Sequence, residues 1–194
     1  MTSSRIAPPI RRVDSPNHGP RPEGAVVDLV VVHSISLPPG VYGGDAIERF
    51  FCNQLDWSAH PYFETIRGVE VSAHFLIRRD GEIVRFVDPA RRAWHAGRSS
   101  WAGRDNCNDT SIGIELEGLE GERFEPAQYQ QLAALIRALQ ADWPLRAVVG
   151  HEHIAPDRKA DPGPGFDWER LAGLLAGSAL WVWRQSAPLE PYSA

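Results

Sequence analysis

Cysteine is nearly absent from this chain. Cys52 and Cys107 are the only two in 194 residues. That is too few for a disulfide framework, and neither belongs to a CxxC pair. The pair reads as two free thiols, packed as small hydrophobes in a reducing compartment. A basic excess is missing too: the formal net charge is -5, which argues against nucleic acid as a partner, because phosphate recognition needs a basic face. No apolar run is long enough to span a bilayer, so no membrane partner is expected. Residues Met1 to Pro9 hold no apolar core of the secretory kind, and the expected location is cytoplasmic. Internal repeats and low-complexity tracts are lacking as well.

What is present is the composition of an ordinary globular protein, 43% hydrophobic and 23% charged. A chain of this length can bury a proper core within one domain, and a monomer is the default expectation. Residues 1–24, rich in Pro, Arg and Ser, read as an irregular N-terminal arm. The folded domain is expected over 25–177, with 178–194 as a C-terminal tail. Within that tail Ala179 to Trp183 looks like a helix end packing on the body.

The near-continuous apolar run from Val26 to His33 predicts a strand buried on both faces. A long segment follows, from Leu37 to Val69, with one short helix expected near Asp45 to Leu55. Connections of that length are often functional, as a lid or a binding wall. Pro39-Gly40 and Gly43-Gly44 would be its pivots. Val71 to Arg78 and Glu82 to Val87 flank Asp80-Gly81, a two-residue hairpin signal. Thr110 to Glu117 alternates, with Ile112, Ile114 and Leu116 on one face and Ser111, Gly113, Glu115 and Glu117 on the other. An amphipathic helix is expected over Glu125 to Asp142, a short strand over Ala147 to Gly150, and a last helix opening near Asp167. Strands mixed with helices point to an α/β fold, a mixed β-sheet flanked by helices.

Chemistry concentrates in the loop from Gly150 to Gly163, where His151, Lys159 and Asp161 lie close together. His33 and His151 each stand where an apolar strand gives way to a loop, which is where ligands gather in open α/β sheets. If those strands are neighbours, both imidazoles reach one metal, with Asp161 as a third ligand. A set of two histidines and one aspartate leaves zinc a position for water, whose pKa then falls to about 7. Glu115 is the candidate base, with Gly113 beside it leaving open space. Glu117 shares its face, so spacing alone does not choose between the two. Lys159 could place an ammonium on an oxyanion, while Arg158 reads as a surface or structural charge.

Five segments carry a resemblance, in this order: Val31-Val32-His33-Ser34-Ile35-Ser36-Leu37-Pro38-Pro39-Gly40, Val71-Ser72-Ala73-His74, Arg92-Ala93-Trp94-His95-Ala96-Gly97, Asn108 to Gly118, and His151 to Trp168. From about Val13 to Leu175 the chain closely resembles the zinc-dependent type 2 N-acetylmuramoyl-L-alanine amidase family. The resemblance implies zinc held by His33, His151 and Asp161, Glu115 as general base and Lys159 as stabiliser of the transition state. It implies hydrolysis of the amide between the lactyl group of (1,6-anhydro)-N-acetylmuramic acid and L-alanine in an anhydro-muropeptide, as part of wall recycling in the cytoplasm. In many Gram-negative bacteria the level of such fragments governs β-lactamase induction. The implied fold is shared with peptidoglycan recognition proteins.

The remaining residues divide by role. Ser34, Trp94, His95, Arg104 and Arg78 are the candidate substrate contacts, the two arginines for the peptide's carboxylates. His74 and His95 support the site or shape its sugar pocket, and His153 is a loop histidine without a ligand role. Ser34 stands where family members commonly carry Asn, and Asn106 where Arg is expected. Two rival readings follow from the same residues: an amidase acting on intact wall peptidoglycan, and a muropeptide-binding module without catalysis. The second loses a zinc ligand in known cases, whereas all three candidates are present here.

Overall fold

The computed structural model describes residues 9–184. The strands are β1 (Ile10–Arg12), β2 (His18–Gly19), β3 (Leu29–Ile35), β4 (Phe75–Ile77), β5 (Ile83–Arg85), β6 (Arg92–Ala93), β7 (Ser100–Trp101), β8 (Arg104–Asp105), β9 (Ser111–Glu117), β10 (Ala147–Gly150) and β11 (Trp181–Val182). The helices are α1 (Ala46–Phe51), α2 (Pro61–Thr65), α3 (Pro126–Leu139), α4 (His151–Ile154) and α5 (Trp168–Leu174). One seven-stranded sheet organises the molecule in the order β1-β5-β4-β9-β3-β10-β11. Its pairs are parallel except for β4 with β5. The expected mixed sheet with flanking helices is what the structure contains.

β3 and β9 lie in the interior of that sheet, and every residue of β9 is buried. Alternation decides where each side chain goes. Ile112, Ile114 and Leu116 join Val30 and Val32 beneath α3 and α5, against Tyr129, Leu132, Ile136 and Leu171. The opposite face is covered in two patches, by Ile47, Phe50, Phe51 and Phe63 near β4 and by Trp101 and Cys107 near β3 and β10. The α3 helix starts at Pro126, whose missing N–H costs nothing there, and Gln128 Oε1 accepts from the Glu125 N–H at 2.9 Å. The Gln128 amide then donates to the carbonyls of Ile77 and Glu117 at 3.1 and 3.0 Å. One buried side chain thus ties helix to sheet.

Several expectations need correction. The N-terminal arm is not irregular throughout: Ile10–Arg12 adds a parallel edge strand to β5. Trp181–Val182 is a strand beside β10 rather than a helix end. The β-prone Trp-Val-Trp run pairs there after α5 supplies the crossover a parallel connection needs. Residues 1–8 and 185–194 of the expected arm and tail lie outside the described residues. The hairpin is longer than two residues, because β4 stops at Ile77, and Arg78 N–H then donates to Glu82 O at 2.9 Å across the turn. The 37–69 segment holds α2 in addition to α1. His153 lies in α4, not in a loop; its Nδ1 accepts from the Gly150 N–H at 2.8 Å, and its ring stacks on Trp183 at 4.1 Å. Of the two thiols Cys107 is buried and Cys52 only half-buried.

Candidate metal and catalytic site

Register builds the site. His33 pairs directly with Glu115 across β3 and β9, while Val32 pairs with Gly150 of β10. His151 therefore follows one step past the end of β10, level with His33. These are the carboxyl ends of three adjacent parallel strands, where side chains are free to point into a groove instead of the core. Asp161 returns to them through a backbone bond, its carbonyl accepting from the Glu152 N–H at 2.9 Å.

Three donor atoms converge. His33 Nδ1 is 3.0 Å from His151 Nδ1 and 3.0 Å from Asp161 Oδ2, and His151 Nδ1 is 3.1 Å from the same oxygen. All three residues are buried. His151 Nε2 is 3.0 Å from the Ala96 carbonyl, which can only accept. The ring proton of neutral His151 is therefore on Nε2, and Nδ1 presents a bare lone pair. Burial would raise the Asp161 carboxyl, but the two facing imidazoles outweigh it and hold it well below the usual carboxylate range. Burial, then the neighbouring His151, push His33 down to about 4. A proton on His33 is thus disfavoured at neutral pH. The His33–His151–Asp161 group can hold a metal ion, and two imidazole nitrogens with one carboxylate oxygen form a donor set that suits zinc.

Beside them stands Glu115, 9% exposed, with its Oε2 buried and lacking any hydrogen-bond partner. Burial, then the charge of Asp161, push its carboxyl well above the usual range, and Lys159 pulls it back down. Glu117 is different. Its Oε1 accepts from Arg78 at 2.9 Å and from the Gly43 N–H at 2.7 Å, and its Oε2 accepts from the Arg79 N–H at 3.3 Å. Geometry separates the two carboxylates that spacing left equal: Glu117 is engaged in structure and Glu115 is free. The space expected beside Gly113 is not open either. The His95 ring fills it, and a Cβ at Gly113 would overlap that ring.

Around this cluster lies a groove of about 340 Å3, lined by His33, Ser34, His95, Glu115, His151, Lys159 and Asp161 at one end. Leu37, Pro39, Phe50, Tyr62, Ile66 and Val69 form its apolar wall. That wall comes from the 37–69 segment, whose length marked it without naming individual residues. Tyr62 was missed because nothing in its local sequence differs from a packed helix residue. Three expected substrate contacts lie elsewhere. Arg78 is held between Glu48 and Glu117 at 2.6 and 2.9 Å. Arg104 pairs with Asp28 at 2.8 Å. Trp94 is half-buried and outside the groove lining, its backbone paired with Ser72.

The sequence matches the N-acetylmuramoyl-L-alanine amidase family model over residues 23–164. The chain belongs to this family. The amidase, a hydrolase of amide bonds, is 54% identical over 168 residues to the 1,6-anhydro-N-acetylmuramyl-L-alanine amidase AmpD of Escherichia coli (strain K12), covering 86% of this chain and 92% of that protein. A crystal structure of a selenomethionine derivative of AmpD matches it with a TM-score of 0.83 at 50% identity, over 90% of this chain and 99% of the other. The amidase AmiD from E. coli, solved in complex with the substrate anhydro-N-acetylmuramic acid-L-Ala-D-gamma-Glu-L-Lys, matches with a TM-score of 0.57 at 31% identity, over 78% of this chain and 59% of that one.

Proposed function

We propose that this amidase hydrolyses the amide between the lactyl group of 1,6-anhydro-N-acetylmuramic acid and L-alanine in muropeptides, with zinc held by His33, His151 and Asp161. The observation that carries the reading is the buried triad beside an unpartnered carboxylate within one groove, with His33, His151 and Glu115 at adjacent strand ends and Asp161 on the loop that returns to them. The likeness to AmpD, named for the anhydro substrate, supports the sugar, and the muropeptide bound by AmiD supports the peptide. When bound, zinc supplies Lewis acidity that makes water a nucleophile at neutral pH.

The protein's own groups do the rest. Glu115 takes a proton from the attacking water as its oxygen bonds to the amide carbon, and returns that proton to the alanine nitrogen as the C–N bond breaks. The products are a lactyl carboxylate and a free amino terminus, so no other reactant is needed. Lys159, exposed at the groove, brings its ammonium toward the carbonyl oxygen on which negative charge develops. The apolar wall from Leu37 to Val69 excludes water from one side of the reacting amide.

We assign the catalytic unit to residues 25–177, most of which lies within the family match over 23–164, and the working state to a monomer in the cytoplasm. Among the described residues no helix is long and apolar enough to cross a membrane. The two free cysteines fit a reducing compartment.

The deciding experiment incubates purified protein with anhydro-muramyl tripeptide, reads products by mass spectrometry and quantifies zinc in the same sample, beside a Glu115→Ala variant. Free tripeptide from zinc-loaded wild type, lost in a variant that still holds zinc, is the expected result. Bound zinc with no cleavage of anhydro or ordinary muropeptides would replace the reading with that of a binding module.

A further inference from the structure

We propose that His95 is a positioning residue for the metal site: with Ser111 it dictates which ring nitrogen of His33 carries the proton, and so presents His33 Nδ1 bare to the metal. This inference rests on the zinc reading above and concerns how the protein prepares one of the three ligands. It follows from a chain of contacts in which each link has only one possible direction.

The chain starts at a carbonyl. Ser111 Oγ lies 2.5 Å from Cys107 O, and since that oxygen only accepts, the hydroxyl proton is spent there. Ser111 Oγ is also 3.2 Å from His95 Nε2. Without its proton to offer, the hydroxyl can only accept, so His95 Nε2 carries the hydrogen. His95 is buried, and its ring nitrogens face Ser111 Oγ and His33 Nε2 rather than a carboxylate that would hold a second proton. Its Nδ1 is then an acceptor, and it sits 2.9 Å from His33 Nε2. His33 must donate from Nε2. A neutral His33 is left with its lone pair on Nδ1, the atom 3.0 Å from both His151 Nδ1 and Asp161 Oδ2.

The surroundings hold this relay in place. The N–H groups of His95 and Ala96 both donate to Asn108 Oδ1, at 3.0 and 2.8 Å. The missing side chain of Gly113 makes room for the His95 ring. The next residue completes the arrangement, because Ala96 O receives the His151 Nε2 proton and is itself gripped by Arg158 Nη2 at 2.7 Å. Two consecutive residues, His95 and Ala96, therefore set the proton position of both ligating imidazoles. Arg158, expected to be a surface or structural charge, braces the second of these contacts. A ligand whose tautomer is imposed beforehand spends no population on the form that cannot bind.

The test compares zinc affinity, by chelator competition, in wild type, His95→Phe and His95→Asn. Phenylalanine keeps a ring without the accepting nitrogen, whereas the Asn Oδ1 can stand in for Nδ1. The dissociation constant should rise roughly 10–100-fold in the Phe variant and stay within about threefold of wild type in the Asn variant. Nitrogen-15 NMR of the zinc-loaded wild type should place the His33 ring proton on Nε2. An unchanged affinity in His95→Phe, or a His33 proton on Nδ1, overturns the proposal. Should the Phe variant fail to fold, Ser111→Ala carries the test. It should weaken zinc binding and mix the His95 tautomers, and unchanged values for both overturn the relay. Failure of the wild type itself to bind zinc would refute the zinc reading instead, so the two failures are distinct.

Discussion

His33 and Glu115 are register partners on adjacent parallel strands, β3 and β9. Residues paired in this way project to the same side of a sheet, so a candidate ligand and a candidate base are delivered together. Neither depends on a mobile loop for its place. The register is fixed by burial on both faces, since a slip of one residue would drive Ile114 and Leu116 out of the core beneath α3.

Lys159→Ala should lower kcat by about 10²–10³-fold and leave KM nearly unchanged, as expected when a group acts on charge that develops only in the transition state. Steady-state kinetics on anhydro-muramyl tripeptide would check this. A raised KM with kcat intact would assign the ammonium to ground-state binding.

Removing the metal should destabilise the fold as well as stop the reaction. The cluster gathers two imidazoles and a carboxylate within hydrogen-bond distance, and binding to the native state alone stabilises by about 4 kcal/mol at a thousandfold excess over Kd. Thermal unfolding with and without a chelator should show a lower Tm in the stripped protein, recovered by adding zinc. An identical Tm would mean that the triad does not hold the ion.

Glu117→Ala should cost about 3–5 kcal/mol of stability, the usual loss on breaking a buried charge pair. Its carboxylate is shared by Arg78 and the backbone N–H groups of Gly43 and Arg79. Urea unfolding would measure the loss. Zinc content should be unaffected, which distinguishes Glu117 from the ligating residues; a stability within experimental error of wild type would show that Glu48 alone suffices for Arg78.

Acid stability should respond to His74. Its ring is fully buried, its Nδ1 accepts from the Gly113 N–H at 2.9 Å, and its Nε2 donates to Arg91 O at 3.1 Å. Burial, then the Arg21 guanidinium, push its pKa from 6.5 down to about 3. Between those values the unfolded chain binds a proton that the native state does not, so stability rises with pH across that window. The full contribution is present above about pH 6.5 and is lost as the pH falls toward 3. Replacing His74 with Asn, which does not titrate, should flatten the slope of unfolding free energy between pH 6.5 and 4. An equal slope in both proteins would remove His74 as its source.

Element identities were legible where a periodic apolar pattern met a chemical start signal. For α3 the helical spacing of Tyr129, Leu132 and Ile136 sufficed. The α5 start was equally local, because Asp167 accepts from the Arg170 N–H at 2.9 Å. The edge strands β1 and β11 were not legible. Three- and two-residue strands exist only because a neighbour offers unpaired backbone groups, and that neighbour is far away in sequence.

The sequence by itself determined the family, the mixed α/β architecture and a short list of chemically able residues: His33, His151, Asp161, Glu115 and Lys159. Each of these rests on residue type, local spacing or strand alternation, all of which are properties of neighbours along the chain. Only tertiary structure distinguishes Glu115 from Glu117, because the difference is whether a distant arginine and distant N–H groups occupy the carboxylate. It also removed Arg78 and Arg104 from the groove by giving them partners within the fold. Finally it brought His95 from the 92–97 segment into the space that Gly113 leaves in β9. Strand pairing and side-chain packing join residues dozens of positions apart, so chemistry that depends on who neighbours whom is written only in the folded molecule.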